Sequence, residues 1–179
     1  MDKIKQNAKT RSGDINQTNL YIEDKRTLSK TIIYNLLQII SDSNIESNND
    51  YSLALPARID KKLVFNGAFR YKNIFVDYSG MLASFSQVIE DFADSEKIVS
   101  KVHHIFLFYV PLHKDGQPKA AEGDKQLGKI KNKLLTIIKS DYRYQGNYYD
   151  EQIESFVYTL MLYCVEKCKI LINPNETSN

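Results

Sequence analysis

A mainly α-helical bundle of about five to six helices, with a short N-terminal strand and minor β elements, is the fold this sequence predicts. Three observations lead to it. Apolar residues recur at three- and four-residue steps along most of the chain. Strand-like alternation is confined to a few residues near the N-terminus. Hydrophobic residues make up 42% and charged residues 26%, the balance of a globular chain rather than a disordered one. At 179 residues a single core can form without staples, and twelve tyrosines and eight phenylalanines supply its bulk in the absence of tryptophan.

The opening MDKIKQNAKTRS is polar and basic without periodicity, and reads as a flexible tail. In SGDINQTNLYIE, Gly13 and Asp14 mark a turn, and Leu20 and Ile22 alternate around Tyr21 as a short strand. So polar a strand builds no core. It reads as an arm that adds to a partner, with Ile15, Gln17, Leu20 and Ile22 as its contacts. From Thr27 to Ser41 a helical stripe of Leu28, Ile32, Leu36, Ile39 and Ile40 follows, with Asp24 or Thr27 as cap. The polar linker SDSNIESNND then divides an N-terminal segment, 1–50, from a helical interaction domain, 51–175, with a disordered tail at 176–179. That linker also leaves the first helix room to dock on a second copy, giving a swapped homodimer.

Pro56 holds Leu55 extended, and Leu63, Val64 and Phe65 before Asn66–Gly67 read as an extended piece ending in a turn. A helix starts near Tyr71 on Ile74, Phe75 and Tyr78. Gly80 breaks or bends it, and Phe85, Val88, Ile89 and Phe92 continue the stripe. Ser95 to Tyr109 forms a strongly amphipathic helix on Ile98, Val99, Val102, Ile105 and Phe106, stopped by Pro111. The following HKDGQPKAAEG is a long mobile loop suited to partner contact, with His113 and Lys114 at its start. Leu127, Ile130, Leu134, Ile137 and Ile138 mark a helix from Lys125 to Lys139. Asp150 caps a last helix, Glu151 to Lys167, whose apolar set wraps more than one face and places it at the centre. The chain leaves it through KILINP, and Pro174 ends the ordered part.

The residues carry little recognisable chemistry. His103 and His104 are adjacent, so on a helix they point about 100° apart and do not share a metal. Cys164 and Cys168 have the i, i+4 spacing of paired ligands, yet a zinc site needs two more, and core packing is the simpler role for Cys164. Glu90, Asp91, Asp94 and Glu96 read as a solvated helix end. No phosphate-binding glycine loop, GxSxG or HExxH occurs. No catalytic residue, metal ligand or cofactor is therefore assigned. No signal peptide opens the chain and no stretch reaches about 18 apolar residues, so a cytoplasmic protein with reduced thiols and no membrane partner is expected.

The net charge of +2 announces no polyanionic partner by itself, but its distribution is uneven. Lys125, Lys129 and Lys133 share one helical side, and Arg143 follows among Tyr142, Tyr144, Tyr148 and Tyr149. Lysines for phosphates and aromatics for bases make a nucleic-acid contact the second functional reading.

Two short signatures carry a resemblance. Leu55, Pro56, Ile59, Leu63 and Asn66 form an LPxxI…N-type opening, and Cys168, Lys169, Ile170 and Pro174 a CKI…P closing. With the SGDINQTNLYIE arm, residues 51–175 resemble the C-terminal domains of bacterial ABC-three-component conflict systems. The resemblance implies protein partners: an ABC-type ATPase subunit and a small middle component, acting in defence against mobile DNA. It implies no catalytic residue. Members often carry an effector domain ahead of this region, and residues 1–50 are too short for one, so an adaptor role is expected.

Overall fold

The computed structural model describes residues 25–47, 58–144, 146–167 and 169–175. Six α-helices occur among them: α1 (Lys30–Asp42), α2 (Ile59–Phe65), α3 (Phe69–Glu90), α4 (Ser95–Tyr109), α5 (Gly123–Ser140) and α6 (Asp150–Glu166). A 3₁₀ turn, Tyr142–Tyr144, joins the last two. The mainly helical expectation holds. Among the described residues there is no strand, only an isolated bridge between Leu112 and Pro118. The expected N-terminal strand lies outside the described residues, as do Leu55 and Pro56. No described helix is long and apolar enough to cross a membrane.

α6 is the centre, as its two-sided apolar pattern predicts: Ile153 to Val165 is buried except for Glu154 and the half-buried Tyr158. α3, α5, α4 and α2 pack around it. α1, which the sequence groups with the N-terminal segment, buries Ile33, Leu36, Leu37, Ile39 and Ile40 in the same core, against α3, α4 and α5. Ser29 rather than Thr27 starts α1, its hydroxyl accepting the Ile32 N–H at 3.2 Å. α6 begins one residue before its expected start. Asp150 lies in its first turn, and the N–H of the capping residue Tyr149 is accepted by the Gln152 side chain at 3.1 Å.

Two local expectations are corrected. Leu63, Val64 and Phe65 are not extended but form the last turn of α2. Their β-branched and aromatic character is overridden because Lys62 and Leu63 are buried and Asp60 sits favourably in the first turn. The Asn66–Gly67 turn does occur: Gly67 takes φ +70°, and Gly67 and Ala68 return hydrogen bonds to Val64 and Leu63 at 3.0 and 2.8 Å, a Schellman closure. Nor does Gly80 end a helix. α3 runs through it, anchored by buried Tyr71 and Phe75 on one side and Phe85, Val88 and Ile89 on the other. A methyl group at Gly80 would meet nothing within 4 Å. Gly80→Ala is therefore expected to raise stability by about 0.5–1 kcal/mol, read as a higher urea midpoint at unchanged slope.

The connection after α4 is a closed hairpin-like loop rather than an open one. His113 donates to the Gln117 carbonyl and Lys119 to that of Pro111, both at 2.7 Å, and Gly116 turns the chain at φ +83°.

Candidate functional site

The groups that invite a catalytic reading are used structurally. His103 is buried, and its Nδ1 donates to the Lys169 carbonyl, which fixes the ring's tautomer and ties α4 to the C-terminal segment. Burial holds its pKa below the ordinary histidine value. Folding thus favours the neutral ring, so the stabilisation is present above about pH 6.5 and is lost as pH falls toward the depressed pKa. The urea midpoint is expected to drop between pH 7 and 5, with a shallower drop in His103→Gln. Asp42 and Asp141, whose carboxyls are held below 3.8 first by hydrogen bonds from Arg143, titrate outside that window.

Cys164 is fully buried within the core, and burial pushes its thiol up to about 12. Cys168 lies outside the described residues. The acids at the α3–α4 corner are dispersed: Glu90 pairs with Lys167 at 3.1 Å, while Asp94 accepts the Ser41 hydroxyl at 2.6 Å. Among the described residues no three histidines, cysteines or carboxylates gather as metal ligands do.

Three buried polar groups do work that sequence reasoning missed. The Lys101 ammonium reaches across from α4 to the C-terminus of α1, donating to the carbonyls of Ile40 at 3.3 Å and Ser41 at 2.6 Å, and to that of Ser43. α1 has no basic residue in its own last turn, so Lys101 supplies the complementary charge. Lys62 does the same for α6 through the Val165 carbonyl at 3.2 Å. Asn66 grips the backbone of Ile172 in both directions, accepting its N–H at 2.9 Å and donating to its carbonyl at 2.8 Å. The opening and closing signatures, distant in sequence, therefore meet at Asn66. One signal was readable for Lys101, which falls on the buried Ile98–Val102–Ile105 stripe.

The basic candidates divide. Lys125, Lys129 and Lys133 lie together on the outward side of α5. Arg143 lies beyond that helix and is committed elsewhere, pairing with Asp42 at 2.7 Å and Asp141 at 2.8 Å. Among its tyrosine neighbours, Tyr144 donates to Asp150 and Tyr142 stands exposed beneath the Arg143 guanidinium. His113 and Lys114 are exposed in the hairpin. Ile15, Gln17, Leu20 and Ile22 lie outside the described residues.

One concavity among the described residues was not revealed by the sequence. Between α2, α3 and α6 opens a cleft of about 660 Å³, floored by Leu63, Phe75, Leu82 and Leu162 and rimmed by Arg58, Asp60, Lys72 and Glu166. Val76, which lines it, is 67% exposed, and Phe65 and Phe69 on α2 and α3 are 40% and 60% exposed. Phe69, Lys72, Val76 and Ser79 follow a 3-4-3 spacing, a second stripe on α3 turned away from the core stripe of Tyr71, Phe75 and Phe85. Large apolar residues falling between the core positions were its only trace in the sequence. No family model matches this chain, and no curated protein or solved structure matches it either.

Proposed function

We propose that this chain is a non-catalytic protein-interaction module, an adaptor of a bacterial ABC-type ATPase-linked defence system against mobile DNA. The α2–α3–α6 cleft with its exposed Phe65, Phe69 and Val76 carries the reading. Val76 lines the cleft, and Phe65 and Phe69 stand exposed on the same two helices, α2 and α3, an apolar surface at a groove of the kind that marks docking sites. Its dimensions and mixed-charge rim suit the apolar face of a partner's amphipathic helix, with the phenylalanines as anchors. The assignment to a defence complex rests on the resemblance of the opening and closing signatures. The structural use of His103, Cys164 and the acidic corner supports a role without chemistry. The N-terminal arm with Ile15, Gln17, Leu20 and Ile22, and the hairpin with His113 and Lys114, are the proposed secondary contacts.

Co-expression with the genomic neighbours, followed by affinity capture and mass spectrometry, tests it. Recovery of an ABC-type ATPase subunit or a small middle component is expected. Phe69→Glu with Val76→Glu should abolish recovery while leaving the melting temperature unchanged, since both side chains are exposed. Undiminished recovery by that variant would remove the cleft from the reading, and recovery of no protein at all would remove the reading itself.

A further inference from the structure

A second surface, on the opposite flank of α5 from its core contacts, differs in character from the cleft. From Lys125 to Ser140 the chain holds five lysines and no acid. Two of them, Lys131 and Lys139, turn toward α6 and pair with Glu154 at 3.8 Å and Asp150 at 2.7 Å. The other three, Lys125, Lys129 and Lys133, fall on the solvent strip with the neutral Asn132, Thr136 and Ser140. Cation and anion are therefore sorted: α6 neutralises one flank of α5, while on the other Lys125 pairs with Glu122 at the start of the strip and Lys129 and Lys133 carry their charge to solvent. The nearby acids are occupied. Asp124 accepts the N–H groups of Arg70 and Tyr71 at the start of α3 at 3.0 and 3.2 Å, Asp115 accepts the Gln117 N–H at 3.1 Å, and Glu122 pairs with Lys125 at 3.0 Å.

Aromatic surface stands beside this strip, joined to it at Lys129. Phe108, in the last turn of α4, is 78% exposed. It is not a loose side chain on an isolated helix end, because Tyr109 meets it edge-on at 5.2 Å and Lys129 lies over the Tyr109 ring at 5.0 Å. The hairpin that follows adds exposed His113, Lys114 and Lys119. Successive lysines along α5 are separated by about 6 Å of helix axis, a step comparable to that between phosphates on an extended strand. Cations at that pitch beside an upright aromatic ring combine the two elements by which unpaired strands are held, phosphate neutralisation and base stacking.

We propose that the surface from the hairpin along the outer strip of α5 binds single-stranded nucleic acid, with phosphates on Lys125, Lys129 and Lys133 and a base stacked on Phe108. A duplex presents its bases stacked internally and has no use for Phe108, and an acidic protein segment offers carboxylates to the lysines but no base to stack on Phe108. The site is separate from the cleft and stands or falls independently of the adaptor reading.

Fluorescence anisotropy of the full chain with a labelled oligothymidylate of about a dozen nucleotides tests it. Binding should weaken with salt, and Lys125→Gln, Lys129→Gln and Lys133→Gln together should lower the log–log salt slope by about two, near 0.7 for each phosphate contact. Phe108→Ala should reduce affinity roughly tenfold to a hundredfold with the slope unchanged. All four side chains are exposed, so melting temperatures should match wild type. No binding at low salt, a wild-type slope in the triple variant, or equal competition by polyglutamate overturns the proposal. Duplex binding as tight as single-strand binding, with no effect of Phe108→Ala, overturns it too. The Phe69→Glu, Val76→Glu variant should bind the oligonucleotide normally, which separates this site from the cleft.

Discussion

Replacing Gly123 by alanine is expected to cost about 3 kcal/mol and to lower the melting temperature by roughly 6–12 °C. The added Cβ would lie 2.6 Å from the Asn66 carbonyl oxygen, 2.9 Å from the Ala68 Cβ and 3.1 Å from the Ala68 nitrogen. None of these atoms is the movable end of a flexible side chain. Relief requires the start of α5 to back away from the α2 turn, stretching the 2.8 Å hydrogen bond from the Gly123 N–H to the Asn66 carbonyl. Asn66→Ala, which frees both polar groups of Ile172, strikes the same junction. Calorimetry of the two single variants and the double variant should show strong non-additivity, because either change alone opens the contact that the other depends on. A Gly123→Ala protein that melts with wild type would show that the α2–α5 approach is slack.

The second large effect belongs to Lys101. Lys101→Met keeps most of the side chain's volume and removes the ammonium, leaving the final carbonyls of α1 facing an apolar tip. A loss of about 2–4 kcal/mol is expected, since orphaned buried acceptors cost more than a satisfied bond contributes. Hydrogen exchange locates it: amides in the last turn of α1 should exchange faster, while those of α6 should follow only the global change. Burial, helped by repulsion from Lys97, already holds the Lys101 pKa below the ordinary lysine value, an effect only partly offset by the carboxylates of Asp42 and Asp94. Equal acceleration in α1 and α6 would mean that Lys101 stabilises the whole core and is not a cap.

Which parts of this fold could be read in advance follows from the range of the forces involved. α1, α4, α5 and α6 are long enough for a 3.6-residue stripe to declare itself, and the structure places them within three residues of the expected bounds. α2 has seven residues, too few for periodicity, and its last three are types that favour strands. Its helicity comes from burying Lys62 and Leu63 against partners far along the chain. The break offered at Gly80 does not occur, for the complementary reason: a local cost near 1 kcal/mol is small beside the core contacts on either side of it. Asn66 reads as a turn residue and is one locally, and Asp124 lies in the first turn of α5. Their longer-range roles, Asn66 on Ile172 and Asp124 at the N-terminus of α3, have no signature within a window of sequence. The cleft is hidden for the same reason, since it exists only once α2 has been laid beside α3 and α6. The strip on α5 was legible because it belongs to a single helix, whereas Phe108 joined it only through the packing of α4 on α5.

The grip of Asn66 on Ile172 spans 106 residues. During synthesis, at about 5–20 residues per second, roughly 5–20 seconds separate the making of these two residues. For that interval the side-chain amide of Asn66 has its local partner, the Lys62 carbonyl, but not Ile172. The central helix α6 is made late in the same interval. A ribosome-bound chain therefore displays the apolar faces of α2 to α5 before the helix they pack around exists, and engagement by a holdase chaperone should end only as α6 and the closing signature clear the ribosome.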